Sequence, residues 1–350
     1  MGLLRYTINR FIQAIPVVFG ITLITFLLAN AMPGNPVDIM LAEQEASEEL
    51  IKAIEERYGL DEPIHIRFLN YLGVAQILDW IGVPGFDDSP PGLIQGDLGW
   101  SMYYDRPVTD LMLTRLPPTL LLMLAAYAFA VVTAIPLGVI AAKRRNKPTD
   151  HVSRIIALIG VSTPSFWIGI MLIILFAVHL GWLPADRLVY PWRDPGHYGY
   201  DGRLELYYQT IRHLILPMIA LGTLQMATIM RVERSSIIES LQKDYVKLAR
   251  AYGVSERTIL RKHAFRVAQL PIVTLLGLNL TAALGGAVLI ETVFSINGMG
   301  RLLIQAIQMH DYQLILGTTV VIGFVFVVGV IITDISYAYI DPRVSYGDEG

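Results

Sequence analysis

The sequence predicts an all-α membrane protein with six transmembrane helices, and three observations carry that prediction. Of its 350 residues, 54% are hydrophobic and 16% charged, against roughly 45–50% and about 25% in ordinary soluble domains. Six stretches without formal charge recur along the chain, most of them as long as the roughly 20 residues that cross a bilayer. With the N-terminus inside, 17 of the 27 Lys and Arg fall on inside segments, the bias that sets topology.

The first span is Phe11–Val37, preceded by Arg5 and Arg10 and closed by Pro33, Gly34 and Pro36. It is too long for a cleaved signal peptide and lacks a small-residue cleavage site. The others are Leu116–Ala142, Ile155–Ala185, His213–Met230, Val267–Ile290 and Tyr312–Thr333, each with a charged residue within a few positions of either end. An even number of spans places both termini on the inner side. The KRRNK run at 143–147 is the strongest anchor of that orientation. It reads first as a topology signal, with anionic lipid binding as the alternative.

Residues 37–113 are too long for a plain loop. Ser47–Tyr58 reads as a capped acidic helix ended by Gly59, with Ile51, Ile54 and Tyr58 on one face. A second helix, Ile64–Leu72, follows Pro63. IGVPGFDDSPPGL then breaks regularity with Pro, Gly and Asp. The other outer segment, Asp186–Arg212, is rich in aromatics and proline, as interfacial belts are. Its His197 lacks the companions a metal site needs.

The longest charged interval between apolar spans ends in Asp244–Pro271, DYVKLARAYGVSERTILRKHAFRVAQLP. Asp244 reads as a helix cap and Gly253 as a left-handed terminator. Tyr245, Leu248, Ala249 and Tyr252 are spaced to share one face. Ser255 reads as the cap of a second helix, with Glu256 at its positive end. Two readings stand: a docking surface, or a solvated loop.

The residues exclude several chemistries. There is no cysteine and so no disulfide or thiolate site. No Gly-Lys pair exists to build a phosphate-binding loop, and there is no HExxH. His179 lies in a span without an evident serine partner. Polar residues in spans are functional candidates. Glu291 and Asp334 are expected at helix ends, where hydration lowers their cost. Gln225 and Asn279 are expected to bond between helices. No acid sits mid-span, which disfavours a proton-driven secondary transporter. Pro136, Pro164 and Pro217 free backbone carbonyls that need partners.

The string DYVKLARAYG with Ser255, His263-Ala264 and Pro271 resembles the coupling loop of ATP-binding-cassette importer permeases, and within them the dipeptide, oligopeptide and nickel branch. Lys247 and Leu248 stand where the generic motif has Glu and Ala, and the run from Gly253 to Pro271 is longer, as in the peptide branch. LPPTL at 116–120, STPSFW at 162–167, YGLDEP, GDLGWS, GGAVLIETVFSINGMGRLLIQAIQMHDYQLILG and DISYAYIDPRV extend the resemblance over nearly the whole chain. Residues 73–95 carry more sequence than the branch is expected to have.

The resemblance implies a division into 1–36 (first span), 37–113 (extracytoplasmic cap) and 114–350 (permease core, with the coupling loop at 235–266). It implies an inner-membrane protein with a cytoplasmic coupling helix. ATPase-coupling residues would be Asp244, Tyr245, Leu248, Ala249, Arg250, Ala251 and Gly253. Implied partners are a second permease, two ATPase subunits that bind the ATP and magnesium, an extracytoplasmic binding protein and membrane lipid. No cofactor, metal, catalytic residue or nucleic acid is implied for this chain. Peptides are the expected substrate, with nickel or oligosaccharides as alternatives; an ATP-independent transporter or a membrane enzyme are the competing classes.

Overall fold

The computed structural model describes residues 3–32, 52, 60–86 and 89–340, with side chains 3–6, 277–284 and 336–340 excepted. The chain is mostly helical. Its contacts divide into two compact units: Met1–Phe11, Pro118–Gly300 and Val328–Gly350 form the first, Ile12–Pro117 and Arg301–Val327 the second.

Along the chain run α1 (Leu3–Asn30), α2 (Ile64–Leu72), α3 (Val74–Trp80), a two-residue hairpin of β1 (Trp100–Ser101) and β2 (Arg106–Pro107), and α4 (Val108–Lys143). Then come α5 (Pro148–Ser162), α6 (Ser165–Leu172), α7 (Arg203–Gln242), α8 (Asp244–Ala251), α9 (Phe265–Val293), α10 (Met299–Gln308) and α11 (Tyr312–Ile340). Ile173–His179 and Ile259–Ala264 are π-helical, the first continuing α6 and the second leading into α9.

By length and composition α1, α4, α7 and α11 can each cross a membrane, and α5 with α6 forms a fifth candidate bent by 106°. The predicted Ile155–Ala185 is therefore not one straight helix: the bend makes it a broken span or a re-entrant loop. Thr163 precedes Pro164 and is extended, with φ −99° and ψ 126°, because a following proline disfavours the helical region. The 29-residue α9 covers the fifth predicted span, Val267–Ile290. Helices also run past the charges that bounded the predicted spans: α4 begins at Val108, α7 reaches Gln242 and α11 carries Asp334 in its interior.

In the second unit, α2 begins and ends as predicted, closed by Gly73 at φ +78°. Its Phe68 packs on Phe26 of α1 at 5.0 Å between ring centres, in a tilted pair. Asp311 caps α11 by accepting the Leu314 N–H at 3.1 Å. It also accepts Ser101 Oγ at 2.5 Å and the Tyr103 N–H at 3.1 Å, which fixes the hairpin turn. The extra residues 73–95 close on themselves. Gln95 Nε2 donates to the Gly73 carbonyl at 2.9 Å, and Gln95 Oε1 accepts the Gly92 N–H at 3.0 Å. Apart from Lys52, which is helical, the predicted helix at 47–58 lies outside the described residues, as does the end of the first span at 33–36.

Among the described residues the first unit has three apolar clusters along its helices. One groups Leu122, Leu216, Ile290 and Phe294. A middle one groups Ala130, Ala227, Ile229 and Ile272. The last joins Ala142 of α4, Ile237 of α7 and Ala268 of α9 beside the α8 turn.

Candidate functional site

The candidate site is α8, with a buried polar base on the helix that leads into it. One residue, Lys243, separates it from the 40-residue α7. Lys243 occupies the cap position, so the predicted cap at Asp244 is corrected: Asp244 is the first helical residue and makes no cap hydrogen bond. Its carboxylate pairs with Lys247 Nζ at 2.8 Å. That bond holds it below the usual carboxylate range.

The helix ends as predicted. Gly253 has φ +75°. Its N–H donates to the Arg250 carbonyl at 2.9 Å, and the Val254 N–H donates to Ala249 at 3.0 Å. These are the two reverse bonds of a Schellman closure, which requires a left-handed residue at this position. A Cβ at Gly253 would meet nothing within 4 Å, so glycine is needed here for its backbone and not for contact within the chain.

Of the predicted face, Tyr245, Leu248 and Tyr252 are 40%, 58% and 80% exposed. Ala249 is half-buried and leans toward Val246, the fully buried residue that pins the helix. Ala251 and Arg250 are exposed. Arg250 reaches across the turn to Glu256, Nε to Oε1 at 2.7 Å and Nη2 to Oε2 at 3.2 Å. The bond lowers the Glu256 carboxyl and raises the Arg250 guanidinium. Ser255 stands at the predicted cap position, but its hydroxyl pairs with Thr258 Oγ1 at 2.9 Å and caps nothing. After one α turn the backbone widens into the π segment Ile259–Ala264, whose Ile259 and Ala264 are buried.

On α7, before α8 begins, lies a buried polar base that the sequence did not suggest. Asp150, fully buried at the start of α5, takes a bidentate grip from Arg234 of α7, at 2.5 Å to Nε and 2.8 Å to Nη2. The Asn146 N–H adds a third bond at 2.9 Å. Glu233, also fully buried, accepts both its hydrogen bonds from Gln269 Nε2 of α9, at 2.9 and 3.1 Å. Gly138 of α4 lies against Glu233: a Cβ there would stand 2.7 Å from Glu233 Cβ and Cγ. Ser236 Oγ donates to the Ala268 carbonyl at 3.1 Å. Neighbouring residues of α7 thus hydrogen-bond to α5 and α9 and pack on α4. The only sequence signal was an acid, Glu233, set between Arg231 and Arg234.

Other predicted residues fall differently. Glu291 is fully buried near the end of α9, not hydrated: Thr119 Oγ1 donates to it at 2.5 Å and accepts the Met299 N–H at 2.8 Å. Asp334 pairs with Arg10 at 3.3 Å. Gln225 is buried but makes no side-chain hydrogen bond among the described residues, and the Asn279 side chain lies outside them. His179 bonds the Ile174 carbonyl at 2.8 Å, and His197 packs edge-on against Tyr198. Among the described residues no group of His, Asp and Glu could hold a metal.

The profile of the family described as binding-protein-dependent transport system inner membrane component matches residues 134–346, and that of its N-terminal region matches residues 3–125. The chain is 37% identical to the dipeptide transport system permease protein of Alkalihalophilus pseudofirmus over 98% of this chain and the whole of that protein. It is 35% identical to the oligopeptide transport system permease protein of Bacillus subtilis, over 97% of this chain and 99% of that one. It is 34% identical to the glutathione transport system permease protein of Escherichia coli K12, over 98% of this chain and all of that one. The matches reach from the first helix to the last and take in both α8 and the polar base: the chain belongs to the binding-protein-dependent transport system inner membrane component family.

Proposed function

We propose that the chain is the permease subunit of an ATP-driven importer of short peptides. The observation that carries this reading is α8, whose Tyr245, Leu248 and Tyr252 stand exposed in a charged, non-membrane stretch. Apolar side chains presented this way need a protein partner to cover them. In this reading six spans cross the inner membrane, both termini are cytoplasmic, and 37–113 caps the outer side. A second permease completes the path. Two ATPase subunits carry ATP and magnesium and dock on Asp244–Gly253, and an extracytoplasmic binding protein delivers substrate. The peptide substrate is supported by the relatives, whose names specify dipeptides, oligopeptides and glutathione.

The test is uptake and ATPase rate in nanodiscs holding the co-expressed subunits. Gly253→Asn keeps the left-handed backbone at small cost, whereas Gly253→Ala costs about 1 kcal/mol of helix-end stability. If the position serves only to close α8, Asn restores coupling. If a partner packs against it, Asn and Asp both uncouple ATP hydrolysis from the binding protein while the chain still inserts. Full uptake by Gly253→Asp, or uptake in cells without the ATPases, refutes the reading.

A further inference from the structure

A cavity of about 430 Å³ opens between α5 and the inner half of α7. Its floor is apolar and buried: Ala141, Ala157 and Met230. Ile155 and Leu158 form an exposed apolar wall. Arg154, Arg231 and Arg234 stand with His151 and Ser153 around it.

The charges there are only partly balanced by protein: Asp150, the acid that acts on Arg154, is already gripped by Arg234. Arg234 is spent on Asp150. The side chains of Arg154 and Arg231 make no hydrogen bond or ion pair among the described residues, and both are exposed. The nearest acids along α7 are engaged elsewhere, Glu233 with Gln269 and Glu239 with Lys243. Two exposed guanidinium groups without a hydrogen-bonded partner among the described residues therefore border one apolar hollow.

Their depth is set by the sequence. Arg154 is the last charge before one apolar run and Arg231 the first charge after another. The cavity thus lies where hydrocarbon gives way to headgroups. Guanidinium forks match phosphate oxygens, and basic pockets between transmembrane helices take anionic headgroups.

We propose that this cavity binds one anionic phospholipid, its phosphate held between Arg154 and Arg231 and an acyl chain lying along Ile155 and Leu158. A free phosphate would use the arginines but leave the apolar wall wet. The lipid uses both. The site needs only a membrane-embedded chain and is independent of which substrate is carried.

The test uses the full chain, with whatever subunits copurify, extracted from nanodiscs of phosphatidylcholine with and without phosphatidylglycerol. Native mass spectrometry counts the phospholipids retained. The expectation is one phosphatidylglycerol retained per chain, with affinity falling roughly a hundredfold in Arg154→Gln/Arg231→Gln, the loss of two charge-assisted hydrogen bonds to one phosphate. Lys143→Gln/Arg144→Gln removes the same charge nearby and keeps the lipid. Leu158→Asn, which leaves both arginines in place, also weakens lipid retention. Equal loss in both charge pairs reduces the site to general surface attraction and overturns it. So does displacement by inorganic phosphate alone. A cysteine placed at Leu158 in this cysteine-free chain that cross-links to a neighbouring subunit also overturns it, since protein then covers the wall.

Discussion

Removing Arg234 tests whether the polar base is a clasp or an ornament of packing. In Arg234→Ala the Asp150 carboxylate stays fully buried and keeps one donor, the Asn146 N–H at 2.9 Å. Breaking a buried ion pair from one side costs about 3–5 kcal/mol, because the remaining charge has no solvent to return to. The reverse change is not equivalent. Arg234 retains 21% of its side-chain surface in contact with solvent, and a long basic side chain reaches water when its partner is lost. Asp150→Ala should therefore cost only about 1–2 kcal/mol, the loss of its hydrogen bonds. The double variant removes the buried charge altogether and should be no worse than Asp150→Ala. Unfolding in mixed micelles titrated with SDS, followed by the fluorescence of the five tryptophans, gives all four corners of the cycle. Additive losses, or an Asp150→Ala as damaging as Arg234→Ala, refute the reasoning.

Further outcomes follow from close contacts elsewhere. Gly138→Ala drives a methyl to 2.7 Å from Glu233 and 3.0 Å from the Met230 carbonyl, and should cost about 1–3 kcal/mol. Gly20→Ala meets nothing within 4 Å and should gain up to about 1 kcal/mol in the same unfolding assay. Thr119→Val strips a donor from buried Glu291 and an acceptor from the Met299 N–H. It should cost about 2–4 kcal/mol and Thr119→Ser little. Asp311→Asn turns an amide toward three donors. It should raise the rate of proteolysis between residues 101 and 106, and an unchanged rate removes Asp311 from its role at the turn.

Much of this architecture was legible in the chain. The apolar runs located five of the long helices, because hydropathy reports the medium a segment sits in. For the same reason they misplaced the helix ends. Backbone hydrogen bonding does not stop where lipid stops, so α7 passes through Arg231, Glu233 and Arg234 to Gln242. The break at Thr163 was hidden inside an apolar run and marked only by Pro164. The closure at Gly253 was readable because a single residue's conformational freedom decides it. The pairs Asp150–Arg234 and Thr119–Glu291 were not, since their partners lie 84 and 172 residues apart. The π turns left no trace in composition at all.

The length of α7 has a mechanical consequence. Forty residues make a rod of roughly 60 Å at 1.5 Å per residue, about twice the hydrocarbon thickness. With one residue between Gln242 and α8, there is almost no slack to absorb a push. The buried Pro217 removes a backbone bond partway along and offers a fulcrum. The arms on either side, 203–216 and 218–242, measure roughly 21 and 38 Å. A swing of about 3 Å at the α8 end becomes roughly 1.7 Å at the other, in the opposite sense and with greater force. A helix pivoting there as one unit would be geared down: a large stroke at one end would become a small, firm displacement at the far one.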